Sequence, residues 1–260
     1  MACKVMKLGI MTAMEEEFRL IAESFCFSAP RQIGPRAFFS AKYEGIELTL
    51  VPSRIGKVAA AVTTSLLINE FKVDAILFTG VAGGADPSVR IGDIVVADRL
   101  VQHDIDLKGV LGYQRFDIPL LDKSELQCSP DLVLVANEAA KVAIQSEPYC
   151  SGVGAFTTHI PQVHRGVIAS GDTFICDNAH RDSLTAAIPE LKCVEMEGAA
   201  AAQVCAEHGV PFVVARIISD EASHEAHIDF GAFIKNAAAV GSAVFVRSFV
   251  ERLERRSRDS

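Results

Sequence analysis

An α/β fold, with a mostly parallel sheet covered by helices on both faces, is what the order of segments in this sequence predicts. Short apolar runs alternate with helix-period stretches along nearly the whole chain. One run, residues 74–79, ends at Gly80-Val81-Ala82-Gly83-Gly84, as expected of a central strand buried on both faces. No break in composition divides the 260 residues, so one domain is expected, with a core over about 6–250 and a charged tail at 251–260.

Residues 8–11 read as a short buried strand, and 13–24 as a helix with Met14, Phe18, Ile21 and Ala22 on one face. Residues 46–52 alternate like a strand, and 56–71 form a helix. Beyond the glycine loop, strands are expected at 94–97, 166–170, 192–194 and 212–218, with helices over 130–145, 198–208 and 232–253. Residues 103–129 break the pattern, being long, irregular and rich in Asp, Gly and Pro. A loop of that length suits an active-site cover.

Half of the residues are hydrophobic and 22% are charged, which supports a large core and excludes extensive disorder. A net charge of −8 argues against a nucleic-acid surface, which needs clustered Lys and Arg. The one basic cluster, Arg252, Arg255, Arg256 and Arg258, is interspersed with acids and reads as a solvated tail. Seven cysteines (Cys3, Cys26, Cys128, Cys150, Cys176, Cys193 and Cys205) form an odd number without a C-x-x-C pair. Neither a disulfide framework nor a zinc site is encoded locally, and a reducing compartment is expected. With no signal-peptide pattern and no transmembrane-length apolar window, that compartment is the cytoplasm.

Acids follow three different strands. Glu15-Glu16-Glu17 come after the first, Glu195 and Glu197 flank Met196 where an apolar run turns into an alanine-rich helix, and Asp220 closes the run that contains Arg216. In an α/β sheet such residues meet on one rim, where ligands bind. The glycine loop fits neither G-x-G-x-x-G nor G-x-x-x-x-G-K-[ST], so dinucleotide and triphosphate fingerprints are absent. It reads either as a tight turn or as a close backbone approach to a small ligand.

Eight segments carry a resemblance: Lys7-Leu8-Gly9-Ile10-Met11-Thr12-Ala13-Met14-Glu15-Glu16-Glu17, Ile55-Gly56-Lys57-Val58-Ala59-Ala60-Ala61, Thr79-Gly80-Val81-Ala82-Gly83-Gly84, Ile91-Gly92-Asp93-Ile94-Val95-Val96, His103-Asp104, Ser170-Gly171-Asp172-Thr173-Phe174-Ile175, Val194-Glu195-Met196-Glu197 and Ile218-Ser219-Asp220. Together, in this order, they resemble the bacterial 5′-methylthioadenosine/S-adenosylhomocysteine nucleosidases of the purine nucleoside phosphorylase superfamily. The resemblance implies a nucleoside phosphorylase-like three-layer α/β/α sandwich around a central mixed, mostly parallel sheet. It also implies a homodimer that hydrolyses small-molecule adenine thionucleosides to adenine and the thioribose, in methionine salvage and methyl-cycle recycling. No metal, organic cofactor, nucleic acid or membrane is implied.

Breaking an N-glycosidic bond builds positive charge on the ribose and negative charge on the purine, so the site needs an acid for the base and carboxylates near the sugar. By resemblance Asp220 bonds the adenine edge and donates a proton towards N7; the same residue would also suit the N-cap of a following helix. Glu17 matches the glutamate that activates the attacking water, and Glu197 the one that grips a ribose hydroxyl. Glu15 and Glu16 read as solvated first-turn acids. Phe174 would stack on adenine beside the Ile175 backbone, Met196 would pack on the ribose, and Arg216 would order Glu17 and the water. Ser219, Ala82 and Gly83 count among the substrate-binding residues, as does Val81, where the family usually has Ser. Ile55, Met14 and Phe230 would line the 5′-alkylthio pocket, with Leu107, Leu111 and Tyr113 offered from the partner subunit.

A phosphorylase on this fold would hold phosphate with arginines after the first strand and before the glycine loop. Those places carry Glu15-Glu16-Glu17 and Phe78-Thr79, and a carboxylate there repels phosphate, so water is the expected nucleophile. Cleavage of 6-amino-6-deoxyfutalosine for menaquinone synthesis is the alternative within the hydrolases. A non-catalytic nucleoside-binding protein is the alternative outside them.

Overall fold

Each buried apolar run pairs with others from distant parts of the chain, and the order of pairing places the site. The computed structural model describes residues 5–119, 121–222 and 233–258. Its strands are β1 (Met6–Thr12), β2 (Arg31–Ile33), β3 (Arg36–Tyr43), β4 (Ile46–Pro52), β5 (Ala75–Phe78), β6 (Val81–Gly84), β7 (Ile94–Gln102), β8 (Leu126–Gln127), β9 (Val163–Ser170), β10 (Leu191–Glu195) and β11 (Phe212–Asp220). They form a mixed sheet in the order β2-β3-β4-β1-β5-β11-β6-β10-β9-β7-β8. β1 runs parallel to β4 and β5, and β11 is parallel to β5 in its first half and to β6 in its second. β11 also pairs antiparallel with β7, which curls the far half of the sheet into a closed ring.

Helices α1 (Glu15–Ser24), α2 (Lys57–Glu70), α3 (Pro130–Ala143), α4 (Glu147–Val153), α5 (Asn178–Ala187), α6 (Gly198–His208) and α7 (Ala239–Arg258) complete a three-layer α/β/α sandwich. α1, α3 and α4 pack against α7, while α2 packs against α6. All four residues of β5 are buried, as its apolar run requires. Among the described residues, no helix is long and apolar enough to cross a membrane, and the six described cysteines are free.

The structure departs from the sequence reading in several places. Residues 81–84 are a strand, β6, wedged between β11 and β10, so the glycine run is not a simple turn. β7 continues to Gln102 through Asp98 and Arg99, whose charges hid the strand; Arg99 pairs with Asp98, Glu125 and Glu190. β2 and β3 form an edge hairpin with mostly one-sided burial, and α4 and α5 are short helices within stretches left unassigned. The expected tail is helical through Arg258, because Leu253 and Glu254 are buried and Arg258 pairs with Glu44 and Glu254.

Asp93 braces this arrangement from the start of β7. It is fully buried: Oδ1 accepts the Gln162 N–H at 2.7 Å and lies 3.0 Å from His159 Nε2, while Oδ2 accepts the Arg90 N–H at 2.9 Å and lies 2.8 Å from His164 Nε2. Its carbonyl accepts the Ile218 N–H at 2.9 Å, so the cluster also anchors β11. Burial raises the Asp93 pKa, but the His164 and backbone hydrogen bonds outweigh it and hold the carboxyl below its usual range. An acid with a depressed folded-state pKa stabilises the fold fully above its unfolded value of about 4, and that stability is lost as pH falls through the folded value. Asp93→Ala, which removes the acceptor of two part-buried N–H groups and the partner of two histidines, is expected to cost about 2–4 kcal/mol in urea unfolding at pH 7. A loss below about 1 kcal/mol would show that water satisfies those donors.

Candidate active site

Residues at or just past the carboxyl ends of β1, β4, β9, β10 and β11 meet around one cavity of about 150 Å³, although β9 and β10 run antiparallel to β6 and β11. Ala13 and Met14 line it after β1, Ile55 after β4, Val81, Ala82 and Gly83 along β6, and Thr173, Phe174 and Ile175 after β9. Val194, Glu195, Met196 and Glu197 line it at the end of β10, and Asp220 at the end of β11. Ten residues expected from the sequence are thus brought together: Met14, Ile55, Val81, Ala82, Gly83, Phe174, Ile175, Met196, Glu197 and Asp220.

Asp220 is buried, with Oδ1 accepting the Ala222 N–H at 2.9 Å and Oδ2 accepting the Ser219 hydroxyl at 2.8 Å. A Cβ at position 83 would stand 2.9 Å from Oδ1, so glycine is what lets β6 run this close to the acid. The close approach is to a carboxyl of the chain itself, and the run is no tight turn. The segment following Ala222, where an Asp220-capped helix would begin, lies outside the described residues, as does Phe230.

Glu17 does not line the cavity but is fully buried beside it. Its Oε2 accepts the N–H groups of Ala13 and Met14, both at 3.1 Å, closing the amino end of α1. Oε1 has no hydrogen-bond partner among the described residues and lies 3.2 Å from where a Cβ of residue 80 would stand. Burial pushes its pKa up to about 7, against the opposing charge of Arg216 and the backbone N–H groups. Glu15 and Glu16 are exposed in the same turn, as expected.

Glu197 accepts the Gly56 N–H at 2.8 Å, and its pKa is also pushed up to about 7, by burial first and by the charge of Glu195 second. Glu195 is the functional candidate the sequence reading left without a role. It accepts from the Ser170 hydroxyl, from the Gly198 N–H at 2.8 and 2.9 Å, and from Arg216 Nη2 at 2.6 Å. Arg216 had been expected to order Glu17, but its donors go to Glu195, to the Phe78 carbonyl at 3.2 Å and to the Ala215 carbonyl at 3.1 Å. Its side chain leaves the middle of β11 towards the neighbouring strands, so it reaches Glu17 only through its charge. An arginine inside an otherwise apolar strand needs a buried acid, and that signal could have found Glu195.

The stretch carrying Phe174 is tied down from the other side. Lys57 Nζ lies 2.6 Å from Asp104 Oδ1 and donates to Gln102 at 3.1 Å; Asp104 Oδ2 accepts the Asp172 N–H at 3.0 Å, and Asp172 Oδ1 accepts the Lys57 N–H at 2.8 Å. This network gives the His103-Asp104 motif a positioning role. Leu107, Leu111 and Tyr113 do not line the cavity of their own subunit, so the long loop is no cover for it. Among the described residues, no cluster of three or more His, Cys, Asp or Glu could hold a metal ion. What remains is an apolar slot with one carboxyl at its β11 end and a group of carboxyls along its side.

Comparison with known proteins agrees with this geometry. Residues 7–251 match the phosphorylase superfamily. The 5′-methylthioadenosine/S-adenosylhomocysteine nucleosidase of Marinomonas sp. (strain MWYL1) is 36% identical over 244 residues, covering 94% of this chain and 98% of that protein. The crystal structure of the S-adenosylhomocysteine nucleosidase of Streptococcus pyogenes, in complex with 5-methylthiotubericidin, superposes with a TM-score of 0.84 at 35% identity, covering 97% of this chain and 99% of that one. The futalosine hydrolase of Helicobacter pylori strain 26695 superposes with a TM-score of 0.81 at 35% identity over 95% and 98% of the two chains. The chain belongs to the phosphorylase superfamily and, within it, to the family of the 5′-methylthioadenosine/S-adenosylhomocysteine nucleosidases.

Proposed function

We infer that this chain is a hydrolase that cleaves the N-glycosidic bond of 5′-methylthioadenosine and S-adenosylhomocysteine, releasing adenine and the thioribose. The carrying observation is Glu17, a buried carboxyl with one uncommitted oxygen and a pKa of about 7, standing where a phosphorylase would need a cation. Adenine lies between Phe174 and the β6 backbone, with the Ile175 backbone and Asp220 at its edge. As the bond between C1′ and N9 breaks, Asp220 gives a proton to N7. Water attacks C1′ and gives its proton to Glu17, while Glu197 holds a ribose hydroxyl and Met196 packs on the sugar. Arg216 sets the charge balance behind them. Val81 offers no hydroxyl, so the water is placed by Glu17 and Glu197.

The chain acts as one nucleosidase domain and as a homodimer in the cytoplasm. Ile55, Val58 and Leu111 are 59%, 75% and 91% exposed, an apolar set before and at the start of α2 and on the long loop that a second copy would cover. Leu107 and Tyr113 would then complete the 5′ pocket of the other subunit. Similarity to a futalosine hydrolase supports a second reading, 6-amino-6-deoxyfutalosine as substrate, with the same chemistry at the adenine end. Comparing kcat/KM on the three nucleosides ranks them.

Three outcomes test this reading. Cleavage of methylthioadenosine is expected to yield free 5-methylthioribose, identified by mass, at a rate that does not rise with phosphate; methylthioribose 1-phosphate as product would displace Glu17 from the nucleophile side. Glu17 must be ionised to accept a proton, so kcat/KM should climb with pH through about 7. The cost in stability of its raised pKa builds as pH rises from about 4.5 to about 7, so Glu17→Gln should lower kcat at least about a hundredfold yet add about 2 kcal/mol of stability at pH 8 and almost none at pH 4. A flat rate profile between pH 5 and 8, or near-normal turnover in the variant, would remove Glu17 from the mechanism. Asp220→Asn keeps a hydrogen bond but cannot supply a proton, and a fall in kcat/KM of less than about tenfold would move the acid role elsewhere.

A further inference from the structure

The cavity does not end at Ile55. Ala13, Met14 and Ile55 also line an open groove of about 530 Å³, whose other walls include Glu15, Glu16, Arg36 and Arg54. The sheet order explains the direction of this extension. Asp220 and Gly83 sit on β11 and β6, whereas Met14 and Ile55 follow β1 and β4, which lie two and three strands nearer the hairpin edge than β11. With adenine at Asp220, the 5′ end of the ribose points to the Met14–Ile55 rim. The antiparallel pairing of β3 with β4 then brings Arg36, at the start of β3, beside Arg54, just past the end of β4.

Both arginines are uncommitted in a way that suits an anion. Arg36 is anchored by Nε donating to the Thr63 hydroxyl at 2.7 Å and Nη2 donating to the Ala59 carbonyl at 3.3 Å, which leaves Nη1 without a partner among the described residues. Arg54 makes no ion pair among the described residues. Its φ of 71° is in the left-handed region that disfavours non-glycine residues, and such strain gathers at ligand sites. Burial first, and the charge of Arg54 second, hold the Arg36 pKa below the usual arginine range, so the two cations repel each other. An anion between them would relieve this.

We propose that this groove is the subsite for the far end of the 5′ substituent, where Arg54 and Arg36 hold a carboxylate. When the substituent ends in an α-amino acid, Glu15 and Glu16 face its ammonium group. The proposal rests on the nucleosidase reading and adds to it a basis for choosing among substrates. Methylthioadenosine ends in an uncharged methyl and leaves the groove empty; S-adenosylhomocysteine ends in an amino-acid zwitterion and aminodeoxyfutalosine in an aromatic carboxylate, and both reach it. Carboxylate is the chemistry the last two share.

The test compares kcat/KM for four nucleosides in the full-length wild type and in Arg54→Gln and Arg54→Lys: methylthioadenosine, S-adenosylhomocysteine, aminodeoxyfutalosine, and 5′-(3-aminopropylthio)-5′-deoxyadenosine, which lacks the carboxylate. Arg54 is exposed, so neither change threatens folding. In Arg54→Gln the ratio of a carboxylate substrate to methylthioadenosine is expected to fall about fivefold or more, with Arg54→Lys keeping most of it and the carboxylate-free analogue showing no such fall. Whichever carboxylate substrate responds identifies the source of the anion. Ratios within about twofold of wild type for both, or an equal fall for the carboxylate-free analogue, would overturn the subsite while leaving the nucleosidase reading intact. A wild type that cleaves none of the four would overturn that reading and the subsite with it.

Discussion

The ion pair between Arg216 and Glu195 organises the site. Arg216 is buried in the middle of β11, and a guanidinium in such a place is tolerable only with a hydrogen-bonded acid, which Glu195 supplies at 2.6 Å. Glu195 in turn receives the Ser170 hydroxyl and the first N–H of α6, so one pair joins β11, β10, β9 and a helix. Three more buried carboxyls, Glu17, Glu197 and Asp220, stand within reach of this single cation's field or on its own strand. One positive charge cannot neutralise four acids. Burial, which the field of Arg216 offsets only in part, pushes Glu17 and Glu197 up to about 7, where a carboxyl can exchange protons at physiological pH.

The groups that do the chemistry also hold the fold. Glu17 closes the amino end of α1 with one oxygen and keeps the other uncommitted. Glu197 accepts the Gly56 N–H at the entrance to α2, and Asp220 shapes the turn after β11 by accepting the Ala222 N–H. Asp93 and its histidines fix β11 from the far side, so the positions of Arg216 and Asp220 follow from a polar brace remote from the cavity. This sharing explains how a site of buried acids can be rigid despite its charge. Each carboxyl has at least one backbone partner that defines its place.

How much of this was legible in the sequence depended on whether a signal was local. The central strands were readable because β1 and β5 are buried on both faces and so nearly continuous in apolar residues. The hairpin of β2 and β3 was not, because its edge strands bury few residues and carry charges outward. The C-terminal arginines looked like a solvated tail, yet long charged side chains let a helix continue on a buried Leu253. At the site, ten residues came from motif order alone and do line one cavity. The partner of Arg216 was missed because a salt bridge between two strands leaves no spacing signature, only an unexplained charge in an apolar run.

Carbon-13 NMR of the enzyme labelled at the glutamate Cδ, titrated between pH 4 and 9, reads the charge state of the buried acids without reference to turnover. The expected result is two carboxyl resonances that titrate near 7, one of which is absent from Glu17→Gln. Titration of every glutamate below about pH 5 would contradict the raised pKa values, and with them the claim that burial outweighs the field of Arg216 and leaves these acids poised for proton transfer.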